Sequence, residues 1–391
     1  MYILMIARGV PTNEYPQWGC FEKDQAEALT KFGHKVVVIS LDARFRRHRG
    51  KLGLHRFENN GVRYYNYVMI PGVLLYKIVG SFFLRRTVYR YYFNLLLETV
   101  IKEVGRPDIM YSHYVYCTAS GALLKQKYNL PLVGIEHLSQ FNENDLPTYL
   151  IKEAKFAYKV VDALICVSKT LSSRLNELFG VDSAVVYNMY GFEFESLGMH
   201  FKSFNIDSEK PFLFVSTASL IRRKGFDSLI KAFGMAKIDK HRWILNIIGE
   251  GEEKSNLENL IYRYDLQNNI FLLGKMSKSE IASCLRGSDA FVLPSRNENF
   301  SVAVLEALAS GLPVVATDCG GIRECINDNN GIIVPVDNIG EIANALNTII
   351  NNYSKYNRTD IANDCRNRFS ADAIATQLTD IFEYVVNNFK S

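Results

Sequence analysis

Pro294-Ser295-Arg296-Asn297-Glu298-Asn299-Phe300-Ser301-Val302-Ala303-Val304-Leu305-Glu306-Ala307-Leu308-Ala309-Ser310-Gly311-Leu312-Pro313-Val314-Val315-Ala316-Thr317 is the stretch on which the reading of this chain turns. Together with the apolar run Ala290–Leu293 before it, it reads as strand, loop, helix, glycine stop and a second strand. Ser301 stands at an N-cap position, and Gly311 stands where a helix C-cap is expected. From Val302 to Ala309 only Glu306 is not apolar, so the helix is expected to be buried nearly all round.

The same alternation extends in both directions. Short apolar runs at Tyr2–Ala7, Lys35–Ser40, Asp108–Tyr111, Leu132–Ile135 and Ala163–Val167 are separated by longer amphipathic segments. The second half repeats the scheme at Phe212–Ser216, Trp243–Ile248, Ile270–Leu272, Ala290–Leu293 and Val314–Thr317. Strands apolar on both faces, alternating with helices, indicate parallel sheets covered on each side. The fold class is therefore α/β, with two doubly wound, Rossmann-like domains. Turn chemistry at Asn188-Met189-Tyr190-Gly191 and the patternless segment after it place a hinge before Pro211. Residues 1–195 form the first domain, 196–371 the second, and 372–391 a last helix expected to pack back toward the first. Such a pair places a ligand cleft between the carboxyl ends of the two sheets.

At 391 residues, two domains are the default. With 48% hydrophobic and 22% charged residues the chain is globular rather than disordered. A net charge of +4 gives no argument for nucleic acid. The opening run Tyr2–Ala7 is too short for a signal peptide and no basic segment precedes it. Seven scattered cysteines lack metal-type spacing; Cys166 sits in a strand-like run, and disulfides are not expected. A reducing cytoplasm fits these features. The apolar stretch Val68 to Leu84 is broken by Pro71, Gly72 and Lys77, so it does not read as a membrane span.

The chemistry concentrates where the quoted stretch begins. A lone carboxylate on an apolar helix needs donors. For Glu306 these are either the ribose hydroxyls of a nucleotide or the backbone amides of the Gly320-Gly321 loop. The helix start at Phe300, Ser301 and Val302 offers free N–H groups and a positive dipole end, which suits a diphosphate. Glu298, eight residues ahead of Glu306, either points into the cleft toward sugar hydroxyls or is simply solvated.

This pattern resembles the GT-B glycosyltransferases, specifically the large retaining family 4 (glycosyltransferases group 1). That family carries a Glu, seven intervening residues and a second Glu, then a small-residue helix ending in a Gly-Leu-Pro-Val-Val-like run. The resemblance implies that Glu306 holds the ribose, that Glu298 contacts the transferred sugar, and that the amides of Phe300, Ser301 and Val302 meet the donor phosphates. Ser219-Leu220-Ile221-Arg222-Arg223-Lys224-Gly225 is similar to the family's Gly-Arg-Leu…Lys-Gly segment, which gives Lys224 the departing diphosphate. The family's Arg is Ser219 here, and Arg222 or Arg223 is a candidate to replace its charge. Read without the family, the triplet is a solvated basic turn. Ile248-Gly249-Glu250-Gly251 resembles the Gly-x-Gly turn, with Gly249 near the donor, and Leu273-Gly274-Lys275 the segment that reads the base. In the first half, Pro16-Gln17-Trp18-Gly19-Cys20-Phe21 is similar to the glycine loop, with Gly19 admitting the diphosphate. His137 closes the strand-like run Pro131–Glu136 where the family has a functional His. His113 has a parallel placement, and His34 reads as a turn histidine.

The implied activity is a retaining, metal-independent glycosyltransferase of hexosyltransferase type. Its donor is a UDP- or GDP-linked sugar, a substrate rather than a cofactor, and its acceptor a saccharide or polyprenyl-linked saccharide in bacterial surface polysaccharide synthesis. No Asp-x-Asp triplet is present for a metal. The alternating Tyr, Phe and Leu with Lys77, Arg85, Arg86 and Arg90 between Tyr76 and Val104 read either as a membrane-surface segment on the inner face or as a partly buried helix. The rival activities are a nucleotide-sugar epimerase and a non-catalytic nucleotide-sugar-binding partner.

Overall fold

A computed structural model describes residues 1–12, 18–43, 51–69, 82–194 and 210–389; the side chains of 82–86 lie outside the described set. The chain divides into two compact units, Met1–Tyr187 with Ile374–Ser391, and Asn188–Ala373.

The first unit carries β1 (Tyr2–Ala7), α1 (Cys20–Lys31), β2 (Lys35–Asp42), β3 (Gly53–Asn59), β4 (Val62–Val68), α2 (Phe82–Val104) and β5 (Ile109–His113). α3 (Tyr114–Tyr128), β6 (Leu132–Glu136), α4 (Thr148–Val160), β7 (Ala163–Cys166), α5 (Lys169–Phe179) and β8 (Ala184–Val185) follow. The sheet order is β3-β4-β2-β1-β5-β6-β7-β8. All pairs are parallel except β3 with β4, a hairpin on the edge. Every residue of β1 is buried, as a central parallel strand covered on both faces must be. α2 turns Phe93, Leu96, Leu97 and Val100 into the core, the i, i+3, i+4, i+7 stripe of a helix laid on a sheet.

The second unit is built from β9 (Phe212–Thr217), α6 (Phe226–Met235), β10 (Trp243–Ile248), α7 (Lys254–Arg263), β11 (Ile270–Gly274), α8 (Lys278–Gly287) and β12 (Ala290–Leu293). It continues through α9 (Val302–Ala309), β13 (Val314–Thr317), β14 (Gly331–Val334), α10 (Ile339–Asn351) and α11 (Arg358–Phe369). Its order is β11-β10-β9-β12-β13-β14, all parallel. The final helix, α12 (Ala371–Phe389), buries Ile374, Leu378 and Phe382 in the first unit, where the Phe382 ring meets Tyr111 edge-on at 4.9 Å.

Each apolar run named from the sequence is a strand. The hairpin β3–β4, the two-residue strand β8 and the strand β14 were not among them. β3 is Gly-Leu-His-Arg-Phe-Glu-Asn, an exposed edge strand without a continuous apolar run, and β14 is four residues beside an Asn- and Asp-rich loop. Residues 70–81 of the broken apolar stretch, of which 76–81 also belong to the aromatic-basic segment, lie outside the described residues, as do the side chains of Arg85 and Arg86. Most of the hinge, 195–209, also lies outside them. Among the described residues no helix is long and apolar enough to cross a membrane, and all seven cysteines are free thiols.

In both sheets the crossovers part beside the first strand: between β1 and β5, and between β9 and β12. These are the topological switch points at whose carboxyl ends ligands bind in open α/β sheets. Beside the first lies Glu136, 1% exposed at the end of β6. It accepts the N–H groups of Val115 (2.8 Å), His137 (2.9 Å) and Leu138 (2.8 Å) and the Tyr158 hydroxyl (2.7 Å). Burial pushes its carboxyl up while these donors pull it back. One side chain thus fixes the end of β6 against the start of α3. Glu136→Gln sets an amide against this all-donor shell and is expected to cost about 2–3 kcal/mol, read as a lower urea midpoint with unchanged slope.

Candidate functional site

In the second unit the loops after β9 and β12 meet at the switch point. The first holds a 3-10 turn, Arg222–Lys224, and the second is the quoted stretch. The Lys224 ammonium pairs with Glu298 across them, with only 16% and 10% of the two side chains exposed. Ser295 Oγ donates a second bond to the same Glu298 oxygen at 2.8 Å. Glu298 is therefore a buried, paired carboxylate rather than a solvated one.

A hub at Arg296 clamps the two loops. Its N–H donates to Arg223 O at 2.8 Å, and its guanidinium binds the carboxylates of Asp337 (2.8 Å) and Asp227 (2.9 Å) and the carbonyl of Arg222. The Arg296 guanidinium holds the Asp337 carboxyl below its ordinary range. Arg222 and Arg223 themselves are exposed, and they serve the hub through backbone carbonyls. Thr317, at the end of β13, donates to the carbonyls of Leu293 and Ser295 and pins the start of the same loop.

α9 follows. Ser301 occupies its N-cap with φ −83° and ψ 112°, but its side chain makes no capping bond. The C-terminal end closes as anticipated: Gly311 takes φ +70°, its N–H reaches Leu308 O, and Leu312 N–H reaches Ala307 O. Val304, Leu305, Ala307, Leu308 and Ala309 are buried, whereas Val302, Ala303 and Glu306 are half-buried. Burial is thus broken along one strip. Positions i, i+1 and i+4 share a side of the helix, and that side is where Glu306 stands. Gly321 N–H is committed to Asn299 O at 2.8 Å, so one of the two loop amides considered for Glu306 is taken. Phe300 and Ser301 are buried just before the helix, and Asn188 Nδ2 donates to Phe300 O at 3.3 Å. Gly249 takes φ +151°, and a Cβ there would sit 1.9 Å from Ala218 O, so only glycine lets the end of β10 lie against the loop after β9.

In the first unit His137 follows β6 and His113 ends β5. Their rings are parallel to 6° with centroids 5.3 Å apart, and His137 Nε2 lies 3.2 Å from His113 Nδ1, so they meet edge to edge. Phe21 stacks on His137 at 5.6 Å. His113 is fully buried; burial first, then His137 and Arg8, holds its pKa well below the ordinary 6.5. Tyr114, directly after it, takes φ +64°, a strained value for an aromatic residue. Gly19 caps α1 at φ +79°, and a Cβ there would meet Gly9 O at 2.2 Å, so its requirement follows from packing of its own loop. His34 binds Thr379 Oγ1 at 2.8 Å, a structural contact.

Lys224 and Glu298 are thus together, Phe300, Ser301, Val302 and Glu306 share one helix start and strip, and His137 is joined to His113. Ser295, Arg296, Asn188 and Glu136 were not singled out from sequence. The carboxylates of Arg296 and the acceptor of Asn188 stand far along the chain, Asp337 being forty-one residues beyond Arg296, so no local spacing marks those two. Among the described residues, no group of three or more His, Cys, Asp or Glu side chains converges as for a metal ion.

Two measurements probe this geometry. Lys224→Met strands a buried carboxylate and Glu298→Gln a half-buried ammonium. Each is expected to cost about 3 kcal/mol, and the double variant clearly less than the sum. Additive losses in urea unfolding would contradict the pair. His113 stays neutral when folded, so as pH falls below 6.5 the unfolded chain takes a proton that the native chain refuses, and stability is lost. His113→Asn should flatten that acid-side slope in thermal unfolding between pH 7 and pH 5.

Family models match both parts of the chain: Glycosyltransferase Family 4 over residues 23–190 and Glycosyl transferases group 1 over residues 200–364. The chain is 31% identical over 264 residues to the uncharacterized glycosyltransferase MJ1178 of Methanocaldococcus jannaschii, covering 65% of this chain and 68% of that one. It is 24% identical over 374 residues to the putative teichuronic acid biosynthesis glycosyltransferase TuaC of Bacillus subtilis, covering 88% of each. Among solved structures, Anabaena HepE in complex with UDP-glucose superposes with a TM-score of 0.71 at 18% identity, covering 98% of this chain and 100% of that one. Two Rossmann-like units in the GT-B manner and these matches agree, and the chain belongs to the glycosyltransferases of group 1, family 4.

Proposed function

We propose that this glycosyltransferase moves a sugar from a nucleotide-sugar donor to a saccharide or lipid-linked saccharide acceptor, with retention of configuration and without a metal. The observation that carries the reading is the largely buried Lys224–Glu298 pair at the carboxyl edge of β9 and β12, beside the start of α9. A cation, uncapped helix amides and two carboxylates match what a nucleotide sugar presents: diphosphate, ribose and sugar hydroxyls. HepE, a fold relative, is seen with UDP-glucose, and TuaC, a sequence relative, is assigned to teichuronic acid. These support a nucleotide-sugar donor and a role in surface polysaccharide synthesis.

In this reading the donor's diphosphate takes Lys224 away from Glu298 and lies on the amides of Phe300, Ser301 and Val302. Glu306, on the half-open strip, accepts the ribose hydroxyls. Glu298, released, accepts the hydroxyls of the sugar. The bond between the anomeric carbon and the β-phosphate oxygen then breaks, its electron pair passing to the diphosphate. The acceptor oxygen bonds to the same face, and its proton passes to the departing phosphate oxygen. Lys224 and the helix start stabilise the negative charge that appears on that oxygen; preorganised donors of this kind usually contribute most to the rate. His137, held by His113, serves the reacting sugar, and Gly19 and Gly249 shape loops on the donor side. The exposed Arg90, Tyr91 and Leu95 of α2 are the surface through which the enzyme rests on the inner face of a membrane.

The test is transfer from a panel of UDP-, GDP- and ADP-sugars, followed by proton NMR at the anomeric centre. A product with the donor's configuration, formed equally in EDTA, is expected, and Lys224→Ala should lower kcat by about 100-fold or more. Conversion of the free donor into its epimer without an acceptor would sink the reading.

A further inference from the structure

The carboxyl end of β1, at the first unit's switch point, carries a feature that donor binding leaves unused. Arg8 follows directly on β1, and its guanidinium carbon lies 4.3 Å from the ring centroids of both Trp18 and Tyr114. Two aromatic rings hold the guanidinium in place without giving its N–H groups an oxygen to bind. Trp18 can lie there because residue 9 is glycine: a Cβ on Gly9 would sit 2.0 Å from the indole nitrogen. Tyr114 is the residue held at φ +64°, so the second ring is placed at a backbone cost.

The charge is only partly answered. Glu22, buried in the first turn of α1, accepts Arg8's own backbone N–H at 3.2 Å, while its carboxylate stays 3.9 Å from Nε. Among the described residues Nε has no hydrogen-bond partner, and neither has Glu22 Oε2. Among the described residues no hydrogen bond reaches the two terminal nitrogens of Arg8, whose side chain is 29% exposed. A guanidinium fixed by packing, with its fork unfilled, is preorganised for a planar or tetrahedral oxyanion. The second unit already offers a diphosphate its own cation and helix amides.

We propose that Arg8 is the receptor for an anionic group of the acceptor, a phosphate or a carboxylate, at the carboxyl edge of β1. That the bound molecule is an acceptor rests on the transferase reading above. The acceptor is then a lipid diphosphate or an acidic sugar, and a neutral oligosaccharide lacks the group that Arg8 reads.

Trp18 reports on the site directly. The chain has two tryptophans, and Trp243 is buried in the second unit against Phe233. The full-length protein is titrated, without donor, with farnesyl diphosphate, methyl β-glucuronide and the neutral methyl β-glucoside, following tryptophan fluorescence. A saturable change with one of the two anions and none with the glucoside is expected. The diphosphate responding points to a lipid carrier, the glucuronide to an acidic sugar. Arg8→Met, which keeps the packing between the rings, should weaken binding by about tenfold or more. Arg8→Lys, which keeps the charge without the fork, should fall between and serves if the Met variant unfolds. No response to either anion, an equal response to the neutral glucoside, or an undiminished response in Arg8→Met overturns the proposal. Because no donor is present, its failure is distinct from failure of the transfer assay.

Discussion

A parallel sheet sealed on both faces lets polar side chains gather at its carboxyl edge, and most freely where neighbouring crossovers turn away from each other. Both units obey that constraint. β1 and β9 are buried central strands, and the charged groups of interest hang from the loops that leave them or their switch-point neighbours. Arg8, His113 and His137 in one unit, and Lys224 and Glu298 in the other, all stand at such an edge. The sheets decide where chemistry can be placed, and the loops decide what it is.

Three buried carboxylates show how differently one residue type is used. Glu136 is saturated by four donors and acts as a fastener. Glu298 accepts from an ammonium and a hydroxyl, partners that can be exchanged for a ligand's. Glu22 keeps one oxygen unpartnered, and burial pushes its carboxyl up beside Arg8. Burial alone does not distinguish them; the kind of donor each one meets does.

Much of this was legible in the order of residues. Val36-Val37-Val38-Ile39 and its counterparts announce sealed parallel strands, and the run from Ser301 to Thr317 announces a helix between two of them. Gly311 could be placed as a helix stop because a left-handed residue there has few alternatives. Arg296 was not legible, since a loop arginine looks the same whether it meets water or Asp337. β3 was missed because an exposed edge strand shows no continuous apolar run, and the half-open strip of α9 because hydrophobicity says what can be buried, not what is covered. Ser301 shows the converse: the residue type and position of a cap were right, yet its hydroxyl does not make the bond.

The route of the chain has a consequence for how the protein is made. The first unit is interrupted: it runs to Tyr187, then resumes at Ile374 with α12, which brings Phe382 onto Tyr111. On the ribosome the earlier sheet must therefore wait, with that part of its core uncovered, until the whole intervening unit has been synthesised. The second unit, continuous in sequence, meets no such delay. Nascent chains stalled before α12 are accordingly the species in which chaperones would find apolar surface to hold.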